Sequence, residues 1–178
     1  MFMRASRSLG ACAAATLVAA SGVVAIGGPA HALPVNQVCT GTWTVSYNPP
    51  ITDTPRQVSA TLSADFPSCT DPQAPSASYS QSFTDTVSCA TLLNTGSATH
   101  TFVWSNPAAQ PSTFAYSWTV SDIGGQAVIT STGSIISGKY ASDSAEQVSV
   151  LVTPDPIQCA LSGVAMLTGP TTLTIFNP

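Results

Sequence analysis

Apolar and polar residues alternate with a period of two along almost the whole chain from Cys39 onward. Cys39, Gly41, Trp43, Val45 and Tyr47 interleave with Thr40, Thr42, Thr44 and Ser46. Val58, Ala60, Leu62, Ala64 and Phe66 interleave with Ser59, Thr61, Ser63 and Asp65. Phe114, Tyr116, Trp118 and Val120 repeat the pattern, Val148, Val150 and Val152 begin another run, and Leu173 with Ile175 forms a last one. Successive side chains of a strand point to opposite faces, so this is how a sheet with one buried face reads. No stretch of helix length carries apolar residues at a 3.6-residue spacing. Ala90 to Asn94 supports one turn of helix at most.

Prolines punctuate the runs at Pro49-Pro50, Pro55, Pro67, Pro72, Pro75, Pro107, Pro111, Pro154, Pro156 and Pro170. Proline cannot donate to a central ladder, so these positions mark strand ends and loops. The runs between them predict about eight strands, near 38–47, 56–66, 78–88, 98–105, 113–121, 125–132, 146–153 and 163–176, the last open to a break at Gly169-Pro170. Asp122-Ile123-Gly124-Gly125 is the clearest hairpin turn. The expected fold is all-β: a single-domain antiparallel sandwich, immunoglobulin-like or related, with a barrel as the alternative.

The first 32 residues lack the alternation. Arg4 and Arg7 precede an Ala/Val-rich run from Ala11 to Ile26, and Ala30-His31-Ala32 offers small residues around a cleavage point. This predicts a secretory signal peptide over 1–32 and a secreted domain over 33–178. The mature chain of 146 residues is one domain's worth and has no second run long enough to span a bilayer. Its strong bases are Arg56 and Lys139, against eight acids, for a net charge of −6. Two isolated bases cannot neutralise a phosphate backbone or hold an anionic membrane, so nucleic acid is not an expected partner. Ser and Thr make up 43 of the 146 mature residues, and their hydroxyls must supply the wetted faces that charge does not.

An exported chain meets an oxidising compartment, which turns Cys39, Cys69, Cys89 and Cys159 into expected disulfide partners. A hairpin around Asn48 to Pro55 brings Cys39 at one open end next to Cys69 at the other. Cys89–Cys159 then follows by elimination. The cysteines lack CxxC spacing and the mature chain has one histidine, so no metal site and no cofactor is expected.

That histidine, His100, lies on the aromatic face of the run Ala98-His100-Phe102-Trp104. There is no GxSxG elbow to serve, and no acid stands at a recognisable spacing. It reads as a satisfied, partly buried strand residue, and no catalytic residue is assigned. Most acids fall in predicted turns, where Asp is favoured for conformational reasons. Asp143 and Glu146 are the densest pair but lack the ligand spacing of a calcium loop. Gly133 to Tyr140 mimics a P-loop, but Tyr140 stands where the magnesium-binding hydroxyl belongs. Tyr140, beside a glycine loop, is the expected exposed aromatic. Pro154-Asp155-Pro156-Ile157-Gln158-Cys159 is a second candidate, because prolines and a bridge pre-organise a loop. Tyr140, Asp155 and Ile157 are therefore the candidate binding residues.

Cys39-Thr40-Gly41-Thr42-Trp43-Thr44-Val45-Ser46-Tyr47-Asn48-Pro49-Pro50, then Thr54-Pro55-Arg56, resembles small exported β-rich proteins of Streptomyces and related actinobacteria. So do Ser88-Cys89-Ala90-Thr91-Leu92-Leu93, Phe102-Val103-Trp104 and the closing Cys159 with its Thr-rich strand. The resemblance implies export and a β fold and transfers no functional residue. In composition the chain is similar to neocarzinostatin-type apoproteins, and in size and cysteine count to actinobacterial subtilisin inhibitors. The resulting expectation is a secreted, non-catalytic β protein that binds a ligand, polymer or protein at or outside the cell envelope. The alternative is a protease inhibitor presenting a disulfide-braced loop.

Overall fold

In the computed structural model, which describes residues 34–177, eight strands follow one another around a closed antiparallel barrel. They are β1 (Val35–Ile51), β2 (Arg56–Cys69), β3 (Ala77–Val87), β4 (Gly96–Trp104), β5 (Ser112–Ile123), β6 (Gln126–Ser137), β7 (Ser144–Val152) and β8 (Val164–Phe176). A 3-10 turn at Cys89–Leu93 joins β3 to β4, and a short helix α1 (Pro156–Ala160) lies between β7 and β8. The predicted signal peptide lies outside the described residues.

The barrel corrects the expected sandwich. A sandwich needs free sheet edges, and β1 has none: it pairs with β2 from Cys39↔Cys69 to Asn48↔Ser59 and with β8 from Val35↔Phe176 to Ile51↔Val164. Register shifts at Thr40/Thr42, Val35/Gln37 and Ser46/Ile51 mark bulges. Bulges bend and coil a long strand, which lets β1 turn far enough to meet both neighbours. Alternation reports that one face is buried. It does not report whether the sheet curls round to meet itself.

Inside the barrel, alternate residues build the core, with Phe66, Phe102, Phe114, Ile135, Leu173 and Ile175 fully enclosed. Outside, Thr42, Thr44, Ser59, Ser63, Ser80, Ser97, Thr99, Ser117, Thr132 and Thr172 occupy the opposite parity. No described helix is long and apolar enough to cross a membrane. Strand β7 reverses the parity suggested by its valines. Ala145, Gln147, Ser149 and Leu151 are buried, while Val152 is 68% exposed. Strand β8 runs unbroken through Gly169-Pro170, but its ladder to β7 stops at Thr171, beside the proline with no N–H to extend it. The β5–β6 turn is Gly124-Gly125, with φ of 62° and 78°. Two consecutive left-handed residues suit a two-residue hairpin, and glycine adopts them without strain.

Counting strand directions from β1 places the two bridges at opposite ends. Cys39–Cys69 joins directly opposed residues at one end, and Cys89–Cys159 ties the 3-10 turn to α1 at the other. Both expected pairings are present. Around the second bridge Ile51, Val58 and Val164 form a separate small core that stoppers that end. The other end is plugged by Gln37, whose Nε2 donates to the Ala74 carbonyl while its Oε1 accepts from the Asp71 amide and the Thr70 hydroxyl.

Cross-links closing longer loops restrict the unfolded chain more. With sequence separations of 30 and 70, Cys89→Ser/Cys159→Ser should cost more than Cys39→Ser/Cys69→Ser, about 4.4 against about 3.6 kcal/mol in the chain-entropy model. Urea unfolding of the two double variants measures the order, and the reverse order defeats the account.

Candidate functional site

Seven of the eight seams of the barrel carry at least six register pairs. The β3–β4 seam carries two, Ala77↔Trp104 and Ser78↔Val103, and the strands then part. Local chemistry explains the parting. Beyond Tyr79 the inward positions of β3 are Gln81, Phe83 and Asp85, and two of those three are polar. Carrying the Ser78↔Val103 register onward, Gln81 meets His100, while Phe83 and Asp85 meet Ala98 and Gly96, which offer almost no side chain to close upon. The connection between the strands is held elsewhere. Its Cys89 amide donates to Thr52 O, its Cys89 is bridged to Cys159, and Trp118 Nε1 of β5 donates to Asn94 O at 3.1 Å. The Trp118 ring lies directly under Gly96, where a Cβ would collide with it.

Where the parting begins, an open cleft of about 790 Å³ lies on the outer face of β1 to β4. Its walls are outward-facing side chains, the hydroxyls of Thr42, Thr44, Ser63, Ser78, Ser80 and Thr101 with Asp65 and Val103, and it reaches inward at Ala64, Tyr79, Gln81 and His100. Cavities of this size suit a ligand of a few hundred daltons or a short stretch of chain. Phe83, on an inward position, is 42% exposed because β4 does not cover it.

His100 and Tyr79 form the floor, their rings stacked with centroids 3.8 Å apart and planes within 10°. Tyr79 Oη accepts from Trp43 Nε1 at 2.9 Å and from Gln147 Nε2 at 3.2 Å. Gln147 Nε2 also reaches Thr171 Oγ1, which is bonded to Ser149 Oγ at 2.8 Å. This polar network crosses the barrel from β1 and β3 to β7 and β8, and it accounts for the inverted parity of β7. Burial raises the Tyr79 hydroxyl pKa above its ordinary value. Three polar atoms nearby stay without a hydrogen bond: Gln147 Oε1 and both ring nitrogens of His100. His100 is 6% exposed and is ringed by Phe102, Phe114 and Tyr116. Burial alone lowers its pKa from 6.5 to about 3, so the imidazole is neutral.

His100 is thus buried, as the sequence suggests, but not satisfied. A buried polar group without a partner costs on the order of 1–3 kcal/mol, and such exceptions call for a reason. The sequence signal was there: one histidine at an inward position of an otherwise aromatic run. What alternation lacks is any count of hydrogen-bond partners.

The three sequence candidates do not meet. Tyr140 lies at the end plugged by Gln37, while Asp155 and Ile157 lie at the other. Nor is Tyr140 a free aromatic. Half-buried, at a φ of 65°, it packs edge-on against Trp104, and its hydroxyl donates to Asp71 Oδ2 at 2.6 Å, beside the Lys139–Asp71 ion pair. Burial raises the Tyr140 pKa, and the hydrogen bond to Asp71 raises it further. Asp155 caps α1, its Oδ1 accepting from the Ile157 amide at 2.8 Å. Ile157 is 67% exposed on that helical turn. The segment Pro154 to Cys159 thus connects β7 to β8, braced by the Cys89–Cys159 bridge, and from Pro156 it winds into a turn of helix. Asp53, Cys89 and Cys159 cluster like metal ligands, but the two sulfurs are bonded to each other.

No family model, no curated protein and no solved structure matches the chain.

Two outcomes follow from these contacts. Tyr140→Phe deletes a hydrogen bond to a carboxylate and should lower stability by about 1.5–3 kcal/mol in chemical unfolding; no loss would mean the Asp71 contact does not close that end. For His100 the sign is set by a folded-state pKa below the unfolded one. The unfolded chain takes a proton that the folded chain refuses, so this contribution is intact above pH 6.5 and is lost between pH 6.5 and about 3. His100→Phe should therefore flatten the stability–pH profile, by roughly 2–3 kcal/mol at pH 4.5 relative to pH 7. Superimposable profiles would place a neighbouring donor or solvent on the imidazole.

Proposed function

We propose that this chain is a secreted, non-catalytic binding protein that takes an extracellular or envelope-associated partner into the cleft where β3 and β4 part. The observation that carries this reading is the floor of the cleft. His100 is enclosed, neutral and bonded through neither nitrogen, at the inner limit of an opening lined with hydroxyls. An eight-stranded barrel is just wide enough for side chains to fill, and here Phe66, Phe102, Phe114, Ile135, Leu173 and Ile175 fill it, so a partner is met at the wall and not inside. Both ends being plugged, the parted seam is the approach to Tyr79 and His100.

A binding role is favoured over catalysis by what surrounds His100. A histidine acting as general base is oriented by a carboxylate or carbonyl on its second nitrogen. The neighbours of this ring are aromatic. Export is supported by the predicted signal over 1–32, cleavable after Ala32, and by two bridges that persist in an oxidising compartment. Kinship with exported actinobacterial proteins belongs to the same reading, on the motifs given above. The net charge of −6 on the mature chain favours a partner other than nucleic acid.

The test uses the mature chain labelled with 15N and a chemically diverse fragment library. Binding fragments should shift the amide signals of Tyr79 to Thr84 and of Gly96 to Val103. Ser80→Trp, at an exposed cleft position, should abolish those shifts without altering thermal unfolding. Fragments that gather around Asp155 and Ile157 or around Tyr140, or that ignore Ser80→Trp, overturn the assignment.

A further inference from the structure

Each residue of a strand offers its amide and carbonyl to one neighbour or the other. Strand β3 is paired to β2 from Arg56↔Val87 to Phe66↔Ala77, and β4 to β5 from Gly96↔Trp118 to Phe102↔Ser112. Across their own seam, β3 from Tyr79 to Val87 and β4 from Gly96 to Phe102 have no strand partner. An otherwise continuous barrel thus presents two open edges that face one another across the cleft. An open edge is a template for another strand, and extended peptides are bound this way through main-chain hydrogen bonds.

We infer that the occupant of the seam is an extended peptide segment of a partner protein, which adds as a strand to the free edge of β3. This rests on the seam being the binding site and names what fills it. Side chains of the added strand alternate inward and outward, and the inward ones lie alongside Gln81, Phe83 and Asp85 on the inner face of β3. Phe83 offers an apolar surface to one of them. Two residues on, Asp85 is on the same inward face, is exposed and belongs to no ion pair among the described residues. An inward carboxylate deters self-pairing of an edge and favours a strand bearing a base. In the antiparallel orientation the base precedes the apolar residue by two positions. The partner segment is therefore extended, with a Lys or Arg followed two residues later by an apolar side chain.

The probe is an acetylated, amidated seven-residue peptide with lysine and valine two positions apart in a threonine background. Two copies accompany it: one N-methylated at alternate residues, one with glutamate for lysine. Hydrogen exchange of the mature protein should show Ser80–Val87 amides slowed by the parent peptide. Two blocked backbone hydrogen bonds should weaken binding by about tenfold or more. The glutamate copy should bind worse to the native chain and better to Asp85→Lys, an exposed substitution that leaves the core intact. Equal binding of the N-methylated copy, or protection away from β3 and β4, overturns strand addition. If fragments shift the Tyr79 and His100 signals while the peptide slows no seam amide, the cleft stands as a small-molecule site and strand addition falls. If neither acts there, both readings fall.

Discussion

Strand β1 is hydrogen-bonded along both edges, and the rest of the molecule depends on that double pairing. Bulges at Thr40/Thr42 and Ser46/Ile51 coil the strand so that β2 and β8 meet it from opposite sides. Closure then gives every strand an inner and an outer face and sets the parity of each by its register to the next. Aromatics collect inside and hydroxyls outside. In β7 the register carried round the barrel overrides local hydrophobicity. Gln147 and Ser149 turn inward to serve Tyr79 and Thr171, and three valines turn outward.

The same closure makes the β3–β4 seam informative. A sheet that must meet itself concentrates its misfit where side chains least reward contact. Here Phe83 and Asp85 face alanine and glycine, while Trp118 and the Cys89–Cys159 bridge hold the connecting turn. The cleft and the unbonded His100 at its floor are consequences of that one parting. A polar network anchored on Tyr79 keeps the floor rigid, since its ring is held by Trp43 and Gln147 and stacks on His100.

Much of this was legible in the chain. Strand positions follow the alternation closely because a side-chain period of two is a local property. Cys39–Cys69 was legible because a hairpin between β1 and β2 leaves those residues opposed, and the second bridge followed. The candidate site was not. Tyr140 looked free because a glycine stood beside it, yet its hydroxyl belongs to Asp71, 69 residues away in sequence. Asp155 and Ile157 looked like a braced loop, yet Asp155 caps a turn of helix. His100 looked satisfied because nothing in a one-dimensional pattern counts hydrogen-bond partners.

What the sequence by itself determined is the all-β class, the number of strands, the pairing of four cysteines and the hydroxyl-covered exterior. Each arises from residues close in sequence, or from a hairpin that brings its own ends together. What only the tertiary structure decided is that the sheet closes, that β7 turns its valines outward, and that β3 and β4 part over His100. Those depend on the register between strands far apart in the chain, and registers are set jointly by all eight strands meeting in a ring.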